Sequence, residues 1–376
     1  MKDKKLPVAI VTGSGGLIGS QAVKFLHNKG FRVIGIDNDM RSYFFGDSAS
    51  TIPNNDALIK AYKDYSSVNA DIRDYQMINQ IFSHYANDIE IIIHTAAQPS
   101  HDWAANEPLT DFSINATGTI NLLEATRLNC PKATFIFTST NKVYGDTPNR
   151  RHLIEYETRY DSYVNKGGMA IKGCIDETMS IDQCKHSVFG ASKVAADIMC
   201  QEYARYWNMN VGIFRGGCLT GPDHAGAELH GFLSYLIKCM VHEKPYTIFG
   251  YKGKQVRDNI HSWDLVNMFW HYHQNPRPGE VYNAGGGRDN STSILEAINQ
   301  VNEILTSNGH LNGPGWEDYT ISDQARSGDH QWYISDLSKF KDHYPEWDIT
   351  ISLRETIIQI CDAELQKIYG RSYSIL

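Results

Sequence analysis

The residues of clearest chemical meaning are three glycines that follow a short apolar run near the start of the chain. The run Val8–Thr12 is typical of a buried strand, and glycines 13, 16 and 19 lead into an amphipathic stretch. The first glycine permits a tight turn, the second lets a pyrophosphate approach the backbone, and the third lets a helix pack against the sheet. The pattern predicts a dinucleotide-binding loop made of Gly13, Ser14, Gly15, Gly16, Leu17, Ile18 and Gly19.

An acidic residue at the end of the second predicted strand indicates which dinucleotide binds. Asp37 lies 18 residues beyond the third glycine, where its carboxylate can accept hydrogen bonds from ribose hydroxyls. The same carboxylate would repel a 2′-phosphate, and the next residue, Asn38, cannot neutralise one. NAD is therefore predicted rather than NADP. Asp71 and Ile72, after the third predicted strand, are placed to cover the adenine.

Two arginines in the C-terminal half suit a diphosphate. Arg257 and Arg326 both lie in loop-like contexts, and a planar guanidinium binds phosphate oxygens in bidentate fashion. Arg215 and Gly217 follow an apolar strand and are expected at the rim of the same crevice. Further candidate contacts, each equally consistent with plain loop structure, are Gln98, Ser100, His101 and residues 230–232.

A parallel sheet is needed to bring these strand ends together. The first half alternates short β-rich runs with amphipathic stretches, which predicts crossover helices and a doubly wound sheet. The predicted strands are Val8–Thr12, Phe31–Ile36, Tyr65–Val68, Glu90–His94 and Thr134–Thr138. The predicted helices start near Leu17, Gln76 and Leu109.

The whole chain is expected to be α/β, with a doubly wound parallel Rossmann sheet and a smaller C-terminal α/β substrate lobe. Residues 1–215 are predicted to form the NAD-binding domain, with an insert over 146–186. Residues 216–376 are predicted to form mainly the substrate-binding lobe, with some elements returning to the main sheet. Segments 41–61 and 146–186 break the alternation and are interpreted as excursions over the top edge of the sheet.

The composition excludes several classes of protein. The chain has 376 residues and is 41% hydrophobic, so it can bury a large core. Its net charge of -8, with acids and bases mixed, offers no surface for nucleic acid or anionic lipid. Seven scattered cysteines without a C-x-x-C pair predict reduced thiols and no metal site. The N-terminal apolar run is too short for a membrane span, so the expected location is the cytoplasm.

Several motifs occur in an order that resembles the extended short-chain dehydrogenases/reductases that act on nucleotide sugars. They are the glycine loop, the strand end His94–Ala97, Asn115 and the run Thr138–Gly145. That last run, together with Gln98, is most similar to the CDP-paratose 2-epimerase branch of the group. The resemblance implies a CDP-sugar as the favoured substrate and cofactor contacts from Ala96, Ala97, Gln98 and Asn115.

The resemblance also implies a catalytic set. In such enzymes a Ser or Thr hydroxyl, a Tyr and a Lys act together, and the lysine lowers the pKa of the tyrosine that takes a proton from the sugar. By position Thr140 is the hydroxyl and Lys193 the lysine, while Asn141 and Lys142 contact the substrate. The tyrosine should lie one helical turn before the lysine, but Phe189 occupies that position.

Three explanations of Phe189 are open. The residue could be an engineered Tyr-to-Phe change that traps bound ligands. It could be natural, with the acid/base taken from elsewhere, for which the candidates are Tyr163, His186, Cys218 and Lys193. Or the chain could bind NAD and a nucleotide sugar without turning them over.

The residues after Thr140 narrow the reaction that the resemblance implies. Dehydratases of this group carry Asp-Glu there and decarboxylases place a glutamate nearby, whereas this chain has Asn141 and Lys142. The remaining reaction is an oxidation followed by return of the hydride to the sugar. It could take place at C4 or at C2, and the Asn-Lys pair favours C2. A simple 4-keto reductase is a further alternative.

The resemblance also implies a homodimer whose interface is built from two helices. These lie around residues 109–127 and 189–206. Ala195, Met199 and Tyr203 are spaced by four and form an apolar stripe that suits such an interface.

Overall fold

Strands and helices alternate along the first half of the chain, as predicted. The computed structural model describes residues 5–166, 169–224, 231–311, 315–325, 328–370 and 374–375. Strands of this half are β1 (Val8–Thr12), β2 (Arg32–Ile36), β3 (Tyr65–Val68), β4 (Ile89–His94), β5 (Thr134–Thr140), β6 (Leu153–Glu155), β7 (Tyr160–Lys166) and β8 (Met169–Lys172). Its helices are α1 (Leu17–Asn28), α2 (Met40–Phe45), α3 (Ile52–Ala61), α4 (Tyr75–Tyr85), α5 (His101–Asn106), α6 (Pro108–Phe112) and α7 (Gly118–Asn129).

The second half begins with the longest helix of the described chain, α8 (Ser187–Trp207). Its strands are β9 (Asn210–Gly216), β10 (Cys218–Thr220), β11 (Tyr246–Phe249), β12 (Val256–His261), β13 (Val281–Ala284), β14 (Ser291–Ser293), β15 (Tyr319–Ser322) and β16 (Trp332–Tyr333). The remaining helices are α9 (Phe232–Val241), α10 (Ser262–Gln274), α11 (Ile294–Ser307), α12 (Ser338–His343) and α13 (Leu353–Tyr369). None of the helices in the described ranges has the length and apolar character needed to cross a membrane.

Seven parallel strands form the central sheet in the order β13-β9-β5-β4-β1-β2-β3. All five residues of β1 are buried, because helices cover both faces of a parallel sheet. The direction in which strands are added reverses between β1 and β4. The carboxyl ends of strands at such a switch point form a crevice, which is where ligands bind in doubly wound folds. This sheet confirms the predicted fold class.

A second apolar core lies in the C-terminal part of the chain. Helices α9, α11 and α13 pack around it, and strand β12 pairs with β10, β14 and β16. Helices α11 and α13 each begin with a capping box, Ser293 with Glu296 and Ser352 with Glu355. Strand β13 returns to the main sheet beside β9, while the boundary at residue 215 stays a prediction.

Two segments that interrupt the predicted alternation contain secondary structure of their own. Residues 41–61 are largely helical, because Pro53 suits the first turn of α3 and Leu58 packs into the main core. The insert over 146–186 contains a three-stranded antiparallel sheet, β6-β7-β8. Ion pairs of Arg288 with Asp161 and of Arg159 with Glu296 attach this small sheet to the C-terminal part.

A buried ion pair joins helix α8 to strand β9. The guanidinium of Arg215 donates to both carboxylate oxygens of Asp197 at 3.1 and 3.0 Å, and their side chains are only 5% and 1% exposed. Ser139 and Gln201 donate to the same carboxylate at 2.6 and 2.7 Å. Since the carboxylate is fully hydrogen-bonded, the pair is stable away from water.

Replacing Arg215 by methionine is expected to lower the free energy of unfolding by about 3–5 kcal/mol, because Asp197 would be buried without its counter-charge. Urea unfolding followed by circular dichroism measures this. The control is Arg205→Met, which removes a largely exposed pair with Glu202 and should cost less than about 1 kcal/mol. Equal losses in the two variants would contradict the role given to the buried pair.

Candidate active site

A cavity of about 1060 Å³ opens over the carboxyl ends of the central strands. It extends from the glycine loop after β1, past the ends of β4 and β5, to strand β12. Single small-molecule sites in proteins commonly measure about 300–1,000 Å³. The size therefore suits a cofactor together with a second ligand.

The glycine loop forms one end of this cavity. Gly13 has φ +67, and a Cβ there would lie 2.9 Å from the backbone nitrogen of Ala96, so only glycine fits. A Cβ at Gly19 would lie 2.0 Å from the Gly13 carbonyl oxygen, which is why helix α1 can approach so closely. The predicted loop residues that line the cavity are Gly13, Gly15, Gly16, Leu17 and Ile18.

The side chain of Ser14 does not face the cavity, so Ser14 stays a predicted cofactor contact through its backbone alone. Ser14 is fully buried, and its hydroxyl accepts a hydrogen bond of 3.1 Å from the Tyr65 hydroxyl. A side chain held in this way stabilises the loop from behind. Gly19 likewise acts through packing and not by lining the cavity.

Asp37 is held in a fixed position at the end of β2. One carboxylate oxygen accepts from the backbone N–H of Gly15 at 2.9 Å, and the other accepts from the Thr51 hydroxyl at 3.0 Å. Asn54 donates to the Gly15 carbonyl at 2.9 Å. Thr51 and Asn54 were not predicted, because their contribution depends on the folding of segment 41–61 back over the loop.

Asn38, Asp71 and Ile72 line the same end of the cavity. Asn38 donates to the Asp71 carboxylate at 3.1 Å, and Arg73 holds that carboxylate with four further hydrogen bonds, three from its side chain and one from its backbone N–H. Burial acts to raise the pKa of Asp71, but the bonds from Arg73 outweigh it and lower the pKa overall. The carboxylate therefore stays charged beside the predicted adenine position.

Thr140, Phe189 and Lys193 all line the cavity. Thr140 ends β5, while Phe189 and Lys193 lie one turn apart on α8. The Lys193 ammonium donates to the Thr138 carbonyl at 2.8 Å, and burial lowers its pKa to about 8. The predicted set is thus brought together, with a phenyl ring in place of a phenol.

Lys142 and Arg257 converge on an acidic residue that had no assigned role, Asp329. Arg257 donates to the Asp329 carboxylate, and the Lys142 ammonium lies 3.9 Å from the same oxygen and donates to the Gly328 carbonyl at 3.0 Å. Burial acts to raise the pKa of Asp329, but the two cations outweigh it and lower the pKa. Arg326, the second predicted diphosphate ligand, lies outside the described residues.

Two polar side chains beside the predicted Arg257 of β12, those of Gln255 and Asn259, were also missed. Gln255, Arg257 and Asn259 alternate along the strand and all line the cavity, with Val256 and Asp258 pointing away from it. The period-two spacing was visible in the sequence. What was not visible is which of the two faces is turned to the cavity.

Gln98 and Asn115 do not line the cavity, which corrects two predicted cofactor contacts. Gln98 is fully buried, and its amide bonds to the backbone of Ser100 in both directions at 3.0 Å. Asn115 accepts from the Gln98 N–H and donates to the Gln98 carbonyl, both at 3.0 Å. The two amides shape the loop after β4, whose residues Ala96 and Ala97 do line the cavity.

Three further predictions are corrected by the direction of the side chains. Arg215 is turned into its ion pair with Asp197, although the next residues, Gly216 and Gly217, line the cavity. Tyr163 lies in the small sheet, bonded to Tyr156. His186 bonds to the Val143 carbonyl at 2.8 Å outside the cavity. Among the proposed replacements for the missing tyrosine, Cys218 and Lys193 do line the cavity. Asn141 and His101, which were predicted as substrate contacts, line it too.

The residues of this crevice fit NAD. The backbone from Gly13 to Gly16 faces the cavity, and no side chain covers it. Asp37 lines the cavity where its carboxylate can accept hydrogen bonds from a ribose. The buried Thr138 hydroxyl lines the cavity and lacks a hydrogen-bond partner within the described part of the chain. A polar group of the bound cofactor would provide the missing hydrogen-bond partner.

Comparison with known sequences decides the family. Residues 9–285 match the model of the NAD dependent epimerase/dehydratase family. The chain belongs to this family. Membership confirms NAD as the cofactor and the resemblance to NAD-dependent enzymes that act on nucleotide sugars.

Individual relatives lie within this family. The chain is 28% identical over 366 residues to CDP-paratose 2-epimerase of Salmonella typhi, covering 94% of this chain and 98% of that protein. It is 26% identical over 286 residues to UDP-glucose 4-epimerase of Mycolicibacterium smegmatis, covering 76% and 79%. In structure it is similar to UDP-glucuronic acid 4-epimerase of Bacillus cereus, solved with UDP-glucuronic acid and NAD. That TM-score is 0.75 at 22% identity, covering 96% of this chain and 99% of the other.

Replacing Asp37 by alanine is expected to weaken NAD binding roughly tenfold to hundredfold, because the ribose hydroxyls lose a charged acceptor. NADP binding should fall much less, since the carboxylate that repels the 2′-phosphate is removed as well. Quenching of tryptophan fluorescence measures both affinities. The control is Asp47→Ala, which removes an exposed carboxylate from the segment 41–61 that follows. Parallel losses for both cofactors would contradict a ribose contact.

Proposed function

We propose that this enzyme epimerises a nucleotide-diphosphate sugar at C2 through a transient keto sugar. The observation that carries the proposal is the segment that follows Thr140. It turns Asn141 and Lys142 into the cavity beside Phe189 and Lys193, where a dehydratase would offer carboxylates. The similarity to CDP-paratose 2-epimerase of Salmonella typhi supports the same reaction.

The roles proposed for the cavity residues follow from their chemistry. The Thr140 hydroxyl aligns the sugar hydroxyl, and Lys193 holds the nicotinamide ribose with its buried ammonium. NAD, when bound, supplies a hydride acceptor that can return the same hydride. The Gly13–Gly16 backbone holds the pyrophosphate at the N-terminus of α1, where the helix dipole and free N–H groups favour an anion.

The substrate is proposed to bind between Thr140 and strand β12. Arg257 and Lys142 lie close enough to Asp329 to exchange part of that contact for a diphosphate. Arg326, in the same stretch of sequence as Asp329, is proposed as a second ligand of the diphosphate. We favour a CDP-sugar on the resemblance of the Thr138–Gly145 run.

Two other functions remain as alternatives with observations in their favour. A 4-epimerase or 4-keto reductase would use the same cavity, and the mycobacterial relative is named as a 4-epimerase. A protein that binds NAD and nucleotide sugar without turnover would explain Phe189 directly.

The seven unpaired thiols suit a reducing compartment, and we keep the cytoplasm as the proposed location.

The proposed reaction is expected to appear by proton NMR as inverted couplings at C2 when purified protein is mixed with NAD and a CDP-hexose. UDP- and GDP-hexoses serve as comparisons. Inversion at C4 would assign the 4-epimerase instead. Tight binding without conversion, by both the wild type and Phe189→Tyr, would favour the silent binder over any epimerase.

We also propose that two copies of the chain associate through α6 and α8. Of the predicted stripe, Tyr203 is buried and its hydroxyl bonds to Glu124 at 3.0 Å, while Ala195 and Met199 are partly buried. The exposed apolar residues on these two packed helices include Leu109, Phe112 and Ile198. A second copy would cover the same apolar residues on both partners, as a two-fold interface requires.

Replacing Leu109 and Ile198 together by glutamate is expected to convert the dimer into a monomer, because two charges per copy would be buried in the interface. Light scattering coupled to size-exclusion chromatography measures the mass. Ile368→Glu introduces a charge at a similarly exposed isoleucine of another helix and should leave the dimer intact. A wild type that is already monomeric would contradict the proposed association.

A further inference from the structure

The proposed epimerisation requires a proton acceptor, and Phe189 cannot provide one. The side chain that packs against this phenyl ring is His101, at the start of α5. The two ring centroids are 5.0 Å apart with an angle of 77° between the planes, so the rings meet edge to face. Both side chains line the cavity. An imidazole therefore lies directly beside the ring that lacks a hydroxyl.

Ser187 fixes the orientation of this imidazole. Its hydroxyl lies 2.7 Å from His101 Nδ1 and also accepts from the Gly190 N–H at 3.2 Å. Ser187 has φ +65, a left-handed conformation that costs energy in a residue other than glycine. In the tautomer whose Nδ1 donates to Ser187, the lone pair of Nε2 is free for another partner. No hydrogen-bond partner of Nε2 occurs among the described residues.

The loop that carries Gly328 and Asp329 lies against the ring of His101. Gly328 has φ +74, and a Cβ at this residue would lie 2.8 Å from His101 Nδ1, so the loop approaches the ring as closely as glycine permits. Burial lowers the pKa of His101 to about 3, Lys142 adds to the effect and Asp329 opposes it. The ring is therefore neutral at physiological pH.

Three other titratable groups that line the cavity, Lys193, Lys142 and Cys218, are less suited to accept the proton. Lys193 and Lys142 already donate to the Thr138 and Gly328 carbonyls, and each carries an ammonium over most of the neutral range, since burial lowers their pKa values only to about 8. Burial raises the pKa of the Cys218 thiol to about 11. His101 alone among these groups combines a neutral ring with an uncommitted nitrogen.

We propose that His101 is the catalytic acid/base that replaces the missing tyrosine, with Ser187 as its positioning residue. The inference rests on the proposed epimerase function. The sugar hydroxyl gives its proton to Nε2 while the hydrogen on the same carbon leaves with its electron pair to the cofactor, so the carbon is oxidised by two electrons to a carbonyl. On return, the hydride enters from the opposite face and Nε2 gives the proton back to the oxygen.

The test compares wild type, His101→Gln, Phe189→Tyr and the double variant carrying both changes, each with the nucleotide sugar that the wild type converts. His101→Gln should lower the conversion rate by about 100-fold or more, the usual contribution of a general acid/base. It should bind NAD as the wild type does. Adding Phe189→Tyr should restore the rate to within about tenfold of the wild type, because the phenol supplies a new proton acceptor beside Lys193.

A control variant and a spectroscopic measurement complete the design. His273 also bonds through Nδ1 to a hydroxyl, that of Thr134 at 3.0 Å, but lies outside the cavity, so His273→Gln should keep the wild-type rate. In protein labelled with ¹⁵N-histidine, the His101 ring should stay neutral from about pH 5 to pH 8. Its Nε2 signal should shift when the nucleotide sugar is added to the NADH-loaded protein.

The outcomes separate this inference from the proposed function. An active His101→Gln variant, or an Nε2 signal that ignores the sugar, would overturn the role of His101 alone. A rate lost in His101→Gln but not restored by Phe189→Tyr would assign His101 a structural role and overturn the proposal too. A wild type that converts no nucleotide sugar would overturn the proposed function and this inference together.

Discussion

Helix α8 carries Phe189 and Lys193, and its position on the sheet depends on the buried ion pair between Asp197 and Arg215. Asp197 lies one turn after Lys193, so fixing the carboxylate also fixes the face of the helix that is turned to the cavity. Ser139 of β5 bonds to the same carboxylate, which ties the helix to two neighbouring strands at once. Because the desolvation of both charges is costly, a misplaced helix would lose more than the contact itself.

The cofactor end is positioned by a different device. Asp37 joins the glycine loop to the helical segment of residues 52–61 through its bonds to Gly15 and Thr51. Asn54 makes a second link to the same loop. The carboxylate is thus aligned before any ribose arrives, and little conformational freedom is left to lose on binding.

The sequence was sufficient for the first five strands of the central sheet, because continuous apolar runs and the glycine loop are local signals. It was insufficient wherever a side chain chooses between two partners that are far apart in the chain. Arg215 looked like a substrate ligand because it ends a strand at the crevice, but its partner Asp197 lies on the preceding helix. Asp329 meets Lys142 across nearly half the chain, and no periodicity reports such a contact. The helices of segment 41–61 were not predicted for a related reason, since Phe44 and Leu58 pack against core residues from distant parts of the chain.

The residues around His101 in the cavity are also far apart in the sequence, and their charges explain how they cooperate. Lys142 and Arg257 both lie beside the same carboxylate oxygen of Asp329. His101, which contacts Phe189 and lies against Gly328, is kept neutral by burial and by the Lys142 charge. A diphosphate beside Lys142 would raise the pKa of that lysine, since an anion favours the ammonium. It would also offset the charge that lowers the pKa of His101, so that the imidazole accepts a proton more readily. On this argument substrate binding itself prepares the proton acceptor, and a site without a tyrosine gains basicity only when its substrate is present.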